Sequence, residues 1–164
     1  MNEVHIIQPE QWRAYRDIRL AALKDSPDAF GSIFEDAILY SDAVWRERVQ
    51  DINPNTDLPM TILEGAEFVA LGWVRIEQPE VLTANLYSMW VAPKQRGRGY
   101  GRLLVTAAIN WARHRGMQEL ALDVTCGNVE AEALYQSMGF RPVGTPIRLR
   151  PDSALMEQPM RLKL

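Results

Sequence analysis

Arg96-Gly97-Arg98-Gly99-Tyr100-Gly101 constrains this chain more than any other stretch. It follows the apolar run Leu86-Tyr87-Ser88-Met89-Trp90-Val91 and the turn Ala92-Pro93-Lys94. It precedes a helical pattern that starts near Arg102, with Leu104, Ala107, Ala108, Trp111 and Ala112 on one stripe and Gly116 at its end. A strand, a glycine-rich turn among arginines, then a helix is the layout of an anion site. Glycine lets the backbone turn sharply and approach a ligand. The unpaired N–H groups of a helix start, aided by the helix dipole, face negative charge. The Gly-Lys-Ser/Thr ending of a P-loop is absent. Counted from Gly99, the third glycine of a dinucleotide fingerprint falls on Leu104, although Asp123 lies about 20 residues on, where such a fold places an acidic residue. A purely structural strand-to-helix turn is the competing reading.

A second segment, Asn128-Val129-Glu130-Ala131-Glu132-Ala133-Leu134-Tyr135, continues into Gln136-Ser137-Met138-Gly139-Phe140. Asn128 is placed to cap a short helix. Ala131, Leu134 and Met138 share one face, and Gly139 sits where a helix end takes a left-handed residue. A well-capped structural helix explains every residue except Tyr135, which need not face the core with Leu134.

Together the two segments resemble the GNAT superfamily of acetyl-CoA-dependent N-acetyltransferases. Arg96, Gly99 and Gly101 match the family's phosphate motif, Gln/Arg-x-x-Gly-x-Gly/Ala. Asn128, Ala131, Leu134, Tyr135, Gly139 and Phe140 match its later Asn-x-x-Ala-x-x-Leu-Tyr and Gly-Phe. The resemblance is specific from about Met60 to Phe140 and looser in the first 59 and last 24 residues, which shape the acceptor site in such enzymes. It implies an α/β fold: a mixed, mostly antiparallel sheet flanked by helices, with a splayed central strand pair. The splayed strand is Met89 to Val91, and its neighbour starts near Leu120. It implies acetyl-CoA held by Met89, Trp90, Val91, Arg96, Gly97, Arg98, Gly99, Tyr100, Gly101, Arg102, Asn128 and Tyr135. It also implies an amine acceptor, either a small molecule or a peptide amine, and a homodimer paired through sheet edges.

The 164 residues suit one domain, 1–164, large enough to bury a core. The net charge of −3, from 21 acidic and 18 basic residues, argues against non-specific binding to nucleic acid or anionic membranes. Cys126 is the only cysteine, so no internal disulfide is possible and a reducing, cytoplasmic compartment is expected. One Cys with His5 and His114 does not make a metal site. No basic-then-apolar leader and no apolar run near 18 residues is seen. Periodicity predicts a strand at Val4 to Ile7, a helix from Glu10 to Lys24 and a short helix capped by Ser41. A loop is predicted from Asn53 to Pro59, then a hairpin of Met60 to Leu63 with Phe68 to Gln78. Strands follow at Thr83 to Val91, Glu119 to Val124 and Met160 to Leu164, the last opening after Pro159.

Acetyl transfer to an amine needs a neutral amine, a donor for the developing oxyanion and a proton for the departing thiolate. Tyr135 is the candidate acid, because a phenol with a pKa near ~10 stays protonated at neutral pH and the family places a tyrosine there in that role. The base is less determined. One family position for a carboxylate falls on Asn85, whose amide cannot take a proton. Another lies five residues before the motif asparagine, on Asp123, which a solvated or capping role fits equally well. Glu35 and Glu77 are weaker candidates. Cys126 has no histidine partner in view and reads as a small structural residue. Arg19 lies in the apolar arc of the first helix and reads as snorkelling to solvent, with an acidic substrate group as the alternative partner. Phe30-Gly31-Ser32-Ile33-Phe34-Glu35 would border the acceptor cleft in this family. A sensor module that binds acyl-CoA without turnover is the alternative function, favoured by Asn85 as Tyr135 favours catalysis.

Overall fold

One sheet with helices on both faces accounts for most of these periodicities. The computed structural model describes residues 2–164. β1 (Val4–Ile6), α1 (Trp12–Asp25), the short α2 (Phe34–Ala37) and α3 (Asp42–Gln50) come first. β2 (Asp57–Glu64), β3 (Glu67–Arg75) and β4 (Thr83–Val91) form a meander. α4 (Tyr100–His114), β5 (Glu119–Thr125) and α5 (Val129–Ser137) follow, and β6 (Arg141–Pro142), β7 (Ile147–Arg148) and β8 (Met156–Lys163) complete the chain. The order across the sheet is β1-β2-β3-β4-β5-β8-β6, with β7 also paired to β8. Every pairing is antiparallel except that of β4 with β5.

Each face of the sheet carries its own core. Leu104, Val105 and Ala108 of α4 pack with Met60, Ile62, Val74 and Leu120 on one side. Tyr15, Ile18 and Leu23 of α1, with Trp45 and Val49 of α3, pack with Phe68, Leu71, Trp73 and Trp90 on the other. Full burial of a side chain such as Leu104 stabilises by about 1.5–3 kcal/mol over leaving it exposed. No helix among the described residues is long and apolar enough to cross a membrane.

Several expected boundaries move, among them the start of α1 at Trp12 and the end of β3 at Arg75. β2 begins at Asp57, inside the expected loop, because Asp57 accepts from Trp73 Nε1 at 2.9 Å and Arg75 Nε at 2.7 Å across the hairpin. β8 begins at Met156 rather than after Pro159. Pro159 is tolerated inside it because the outer edge of β8 is bridged only by the two-residue strands β6 and β7. α4 begins at Tyr100, two residues before the expected start near Arg102, because Gly99 takes the cap position.

Candidate active site

The site starts where the parallel pair comes apart. β4 and β5 are paired only at Thr83/Glu119, Ala84/Leu120 and Asn85/Ala121. Beyond Asn85, β4 keeps its β3 partner and β5 keeps its β8 partner, so the β5-facing backbone groups of β4 lose their ladder. A bulge lies at the same place. Leu71 pairs with Trp90 but Trp73 pairs with Tyr87, and Ser88 has a φ of 60°. A non-glycine residue in the left-handed region is strained and persists only where its surroundings hold it. One extra residue also swaps the sides of the strand. Ala84 and Leu86 precede the bulge on the α4 face, and Met89 and Val91 follow it on that face, leaving Trp90 for the α1 face.

The N-terminus of α4 closes one end of this gap. Gly97 and Gly99 have φ of 79° and 82°. A Cβ at either would meet nothing within 4 Å, so backbone conformation rather than space requires glycine there. Gly99 has no side chain to cap the helix, and the first-turn N–H groups of α4 have no intrahelical acceptors. The arginines are already engaged. Arg96 donates from Nη2 to Asp25 at 2.7 Å and from Nε to the Val91 carbonyl at 3.0 Å. Arg98 reaches Glu64 at 2.9 Å. Arg102 reaches Ser137 Oγ at 2.8 Å. Asp25 also accepts from Ser26 and Trp90, and these contacts, Ser26 foremost, hold its carboxyl below the usual carboxylate range. Arg96 therefore ties α1 to the glycine turn.

α5 supplies the other wall. Asn128 Oδ1 accepts from the Ala131 N–H at 3.3 Å, as a cap should, and Gly139 ends the helix with a φ of 100°. Tyr135 is buried and packs edge-on to Phe140, with ring centroids 5.8 Å apart. Burial pushes its phenol up to about 12.

Two cavities meet at Tyr135. The larger, about 730 Å³, runs under the start of α4. Met89, Trp90, Val91, Arg96, Gly97, Gly99, Tyr100, Gly101, Arg102, Asn128 and Tyr135 line it, together with Cys126. Arg98, turned to Glu64, is the one expected cofactor contact that does not. The smaller, about 380 Å³, shares Met89, Thr125, Asn128, Ala131 and Tyr135 with the larger and lies between the Ala29–Ser32 segment, the β4 bulge and β5. It takes in Asp123, so the tyrosine and carboxylate singled out from sequence border one space. Burial raises the Asp123 pKa. Glu35 and Glu77 stand outside both cavities; Glu77 instead accepts from the Tyr87 hydroxyl at 2.6 Å. Cys126 is exposed on the turn after β5 rather than packed as a structural residue.

Arg19 corrects the expectation of snorkelling. It is 8% exposed, and its guanidinium lies over the Phe30 ring, 4.9 Å from the centroid, beside the smaller cavity. The apolar neighbours of its helical position were the signal for burial. Glu157 of β8 also lines this cavity, and no local motif pointed to it. Its pKa is raised by burial and by the charge of Asp123. Thr125 Oγ1 donates to the Asp28 carbonyl at 2.7 Å, and Arg150 Nη1 donates to the Phe30 carbonyl at 2.7 Å. Both hold the covering segment in place.

A parallel strand pair that parts beside a bulge, with a glycine-capped helix start at the gap, leaves an open β4 edge and the free N–H groups of α4 beside one cleft. The model of the acetyltransferase (GNAT) family matches residues 12–140, and the chain belongs to that family. It is 38% identical over 71 residues to a mycothiol acetyltransferase from Beutenbergia cavernae, a match covering 43% of this chain and 23% of that one. The chain thus spans about a quarter of that relative's length. A GNAT-family acetyltransferase from Streptococcus pneumoniae shares the fold at a TM-score of 0.83 and 19% identity, over 100% of this chain and 99% of that one. A spermidine N-acetyltransferase from Vibrio cholerae, solved with CoA and spermine, shares it at 0.77 and 14% identity, over 99% and 95%.

Proposed function

We propose that this protein moves the acetyl group of acetyl-CoA to an amine by direct attack. The observation that carries the reading is the position of Tyr135 at the junction of the two cavities. The larger cavity suits the co-substrate. Its volume lies in the range of small-ligand sites, the start of α4 offers N–H groups for a pyrophosphate, and the unpaired edge of β4 offers a ladder for an amide-bearing arm. Gly97 to Gly101 are the residues assigned to the pyrophosphate. Acetyl-CoA supplies an acyl group activated as a thioester.

The side chains then divide the proton work. Asp123, or a water on it, accepts the proton that the amine loses as the N–C bond forms. Tyr135 Oη donates its proton to the sulfur as the C–S bond breaks. A phenol raised to about 12 remains protonated across the whole working range, so the proton is in place at the sulfur, although the raised pKa makes it a weaker acid. The acceptor is a small-molecule or peptide amine, and a reducing compartment is in keeping with the single exposed Cys126.

The test is CoA release with an amine panel, with the acetylated product confirmed by mass. Intersecting initial-rate patterns are expected, as is no adduct on Cys126 after mixing with acetyl-CoA alone. Tight acetyl-CoA binding without turnover of any amine rejects the reading in favour of a sensor, and a kinetically competent acetyl-Cys126 rejects direct attack.

A further inference from the structure

The charge pattern of the smaller cavity narrows the acceptor, given the acetyltransferase reading. Arg19 is buried to more than nine-tenths, lines that cavity, and its Nη1 has no hydrogen-bond partner. Among the described residues it forms no ion pair. A buried cation without an anion is destabilising in the empty protein, since desolvation is not offset. The Phe30 ring beneath it returns only part of that loss. A planar guanidinium with free donors matches a carboxylate. The same cavity holds Asp123 and Glu157, so it presents one positive and two negative groups. The two carboxylates attract an ammonium and repel a dianion such as a phosphate monoester. The volume of about 380 Å³, under the Ala29–Ser32 cover, suits a small molecule.

We infer that the acceptor is a small amine bearing its own carboxylate: Arg19 holds the carboxylate, and the amine lies at Asp123 beside Tyr135. Arg19 is then the residue that sets acceptor specificity, and it stays outside the proton transfers.

The probes are free α-, β- and γ-amino acids, each paired with its carboxamide. Both turnover and calorimetric binding to the CoA-loaded protein are measured, so the acceptor site is read with or without chemistry. The wild type is expected to prefer the best acid over its amide by about 10–100-fold, as for loss of a charge-assisted hydrogen bond. Arg19→Met should erase that preference, with the loss carried by KM for the acid and acetyl-CoA affinity unchanged. Arg19→Lys should restore part of it. The ligand-free Arg19→Met protein should be as stable as the wild type or more so. A structural arginine would instead lower its Tm and leave the acid-to-amide ratio intact. Equal treatment of acids and amides by the wild type, or binding and turnover confined to amines without a carboxylate, overturns the inference and leaves acetyl transfer standing. Arg19-dependent binding of an acid without turnover of any amine supports the inference and rejects the transferase reading alone.

Discussion

In the cleft under α4, much of the lining is backbone of one strand edge and one helix start, drawn from the short stretch between Met89 and Arg102, with Asn128 to Tyr135 as the facing wall. In the pocket at Tyr135 much of it is side chains drawn from α1, β4, β5 and β8, as far apart as Arg19 and Glu157. The arginines at the cleft already have partners: Arg96 is on Asp25, and Arg102 is on the Ser137 hydroxyl. The pocket arrives with its charges open: Arg19 has a buried, unpaired Nη1, and the pKa values of Asp123 and Glu157 are raised by desolvation. A backbone-built site grips a ligand common to many relatives and tolerates sequence drift around it. A side-chain-built site with uncompensated charge is specific, and it is less stable until filled.

The strongest way to break this contrast is at Gly99. Any side chain there is forced into a φ of 82°, a strain of about 1–3 kcal/mol, and Gly99→Glu adds a negative charge at the helix start. Acetyl-CoA affinity should fall by at least ~100-fold in a folded protein, combining that strain with lost anion binding. Unchanged affinity by calorimetry would remove the backbone site.

In the pocket, Asp123→Asn should lower kcat/KM by about 100-fold, the lower end for a general base. Because burial raises the Asp123 pKa, its proton-accepting form appears at higher pH than for an ordinary carboxylate. The wild-type rate should therefore climb with pH through that raised value, and the Asn variant should lose the climb. A pH profile that keeps the same limb in the variant would assign the base elsewhere.

Glu157→Gln tests the stability side. A carboxyl whose folded pKa is raised favours folding when protonated. That contribution is complete below the unfolded value, about 4.3, and is lost as pH rises through the folded one. At neutral pH the Gln variant should melt about 1–3 °C above the wild type, the shift of a sub-kcal/mol gain in a chain of this size. The two should converge below pH ~4. A lower Tm at neutral pH would mean that Glu157 is a structural partner. The smallest effect belongs to Arg98→Ala. An arginine already held by Glu64 and half-exposed should cost no more than ~3-fold in acetyl-CoA affinity, in line with the weak energies of surface pairs.

The same contrast explains what could be read from sequence. The cleft was legible because its parts are local. A strand, two positive-φ glycines and a capped helix leave marks within a dozen residues of one another, and Asn128 to Phe140 marks itself in the same way. The pocket was half legible. Asp123 and the Phe30-to-Glu35 segment stood out in the sequence, and Asp123 with Phe30 to Ser32 of that segment lines the pocket, but Glu157 enters only because β8 returns to pair with β5, bringing Glu157 opposite Thr125. No local pattern encodes that register, and Pro159 suggested a later start for the strand. Arg19 was misjudged because long cations in apolar arcs usually reach water. Here the α1–α2 segment, tied down by Arg150 and Thr125, covers it.

The central claim is that Tyr135 delivers the proton where the two regions meet. Single-turnover acetyl transfer from preloaded acetyl-CoA isolates that step from binding and release. Tyr135→Phe keeps the ring against Phe140 and removes only the hydroxyl. The account predicts a rate about 100-fold lower, near 3 kcal/mol of barrier, with acetyl-CoA affinity and Tm little changed. A wild-type single-turnover rate in the folded Phe variant would contradict it, and Tyr135 would then be only a wall between the cleft and the pocket.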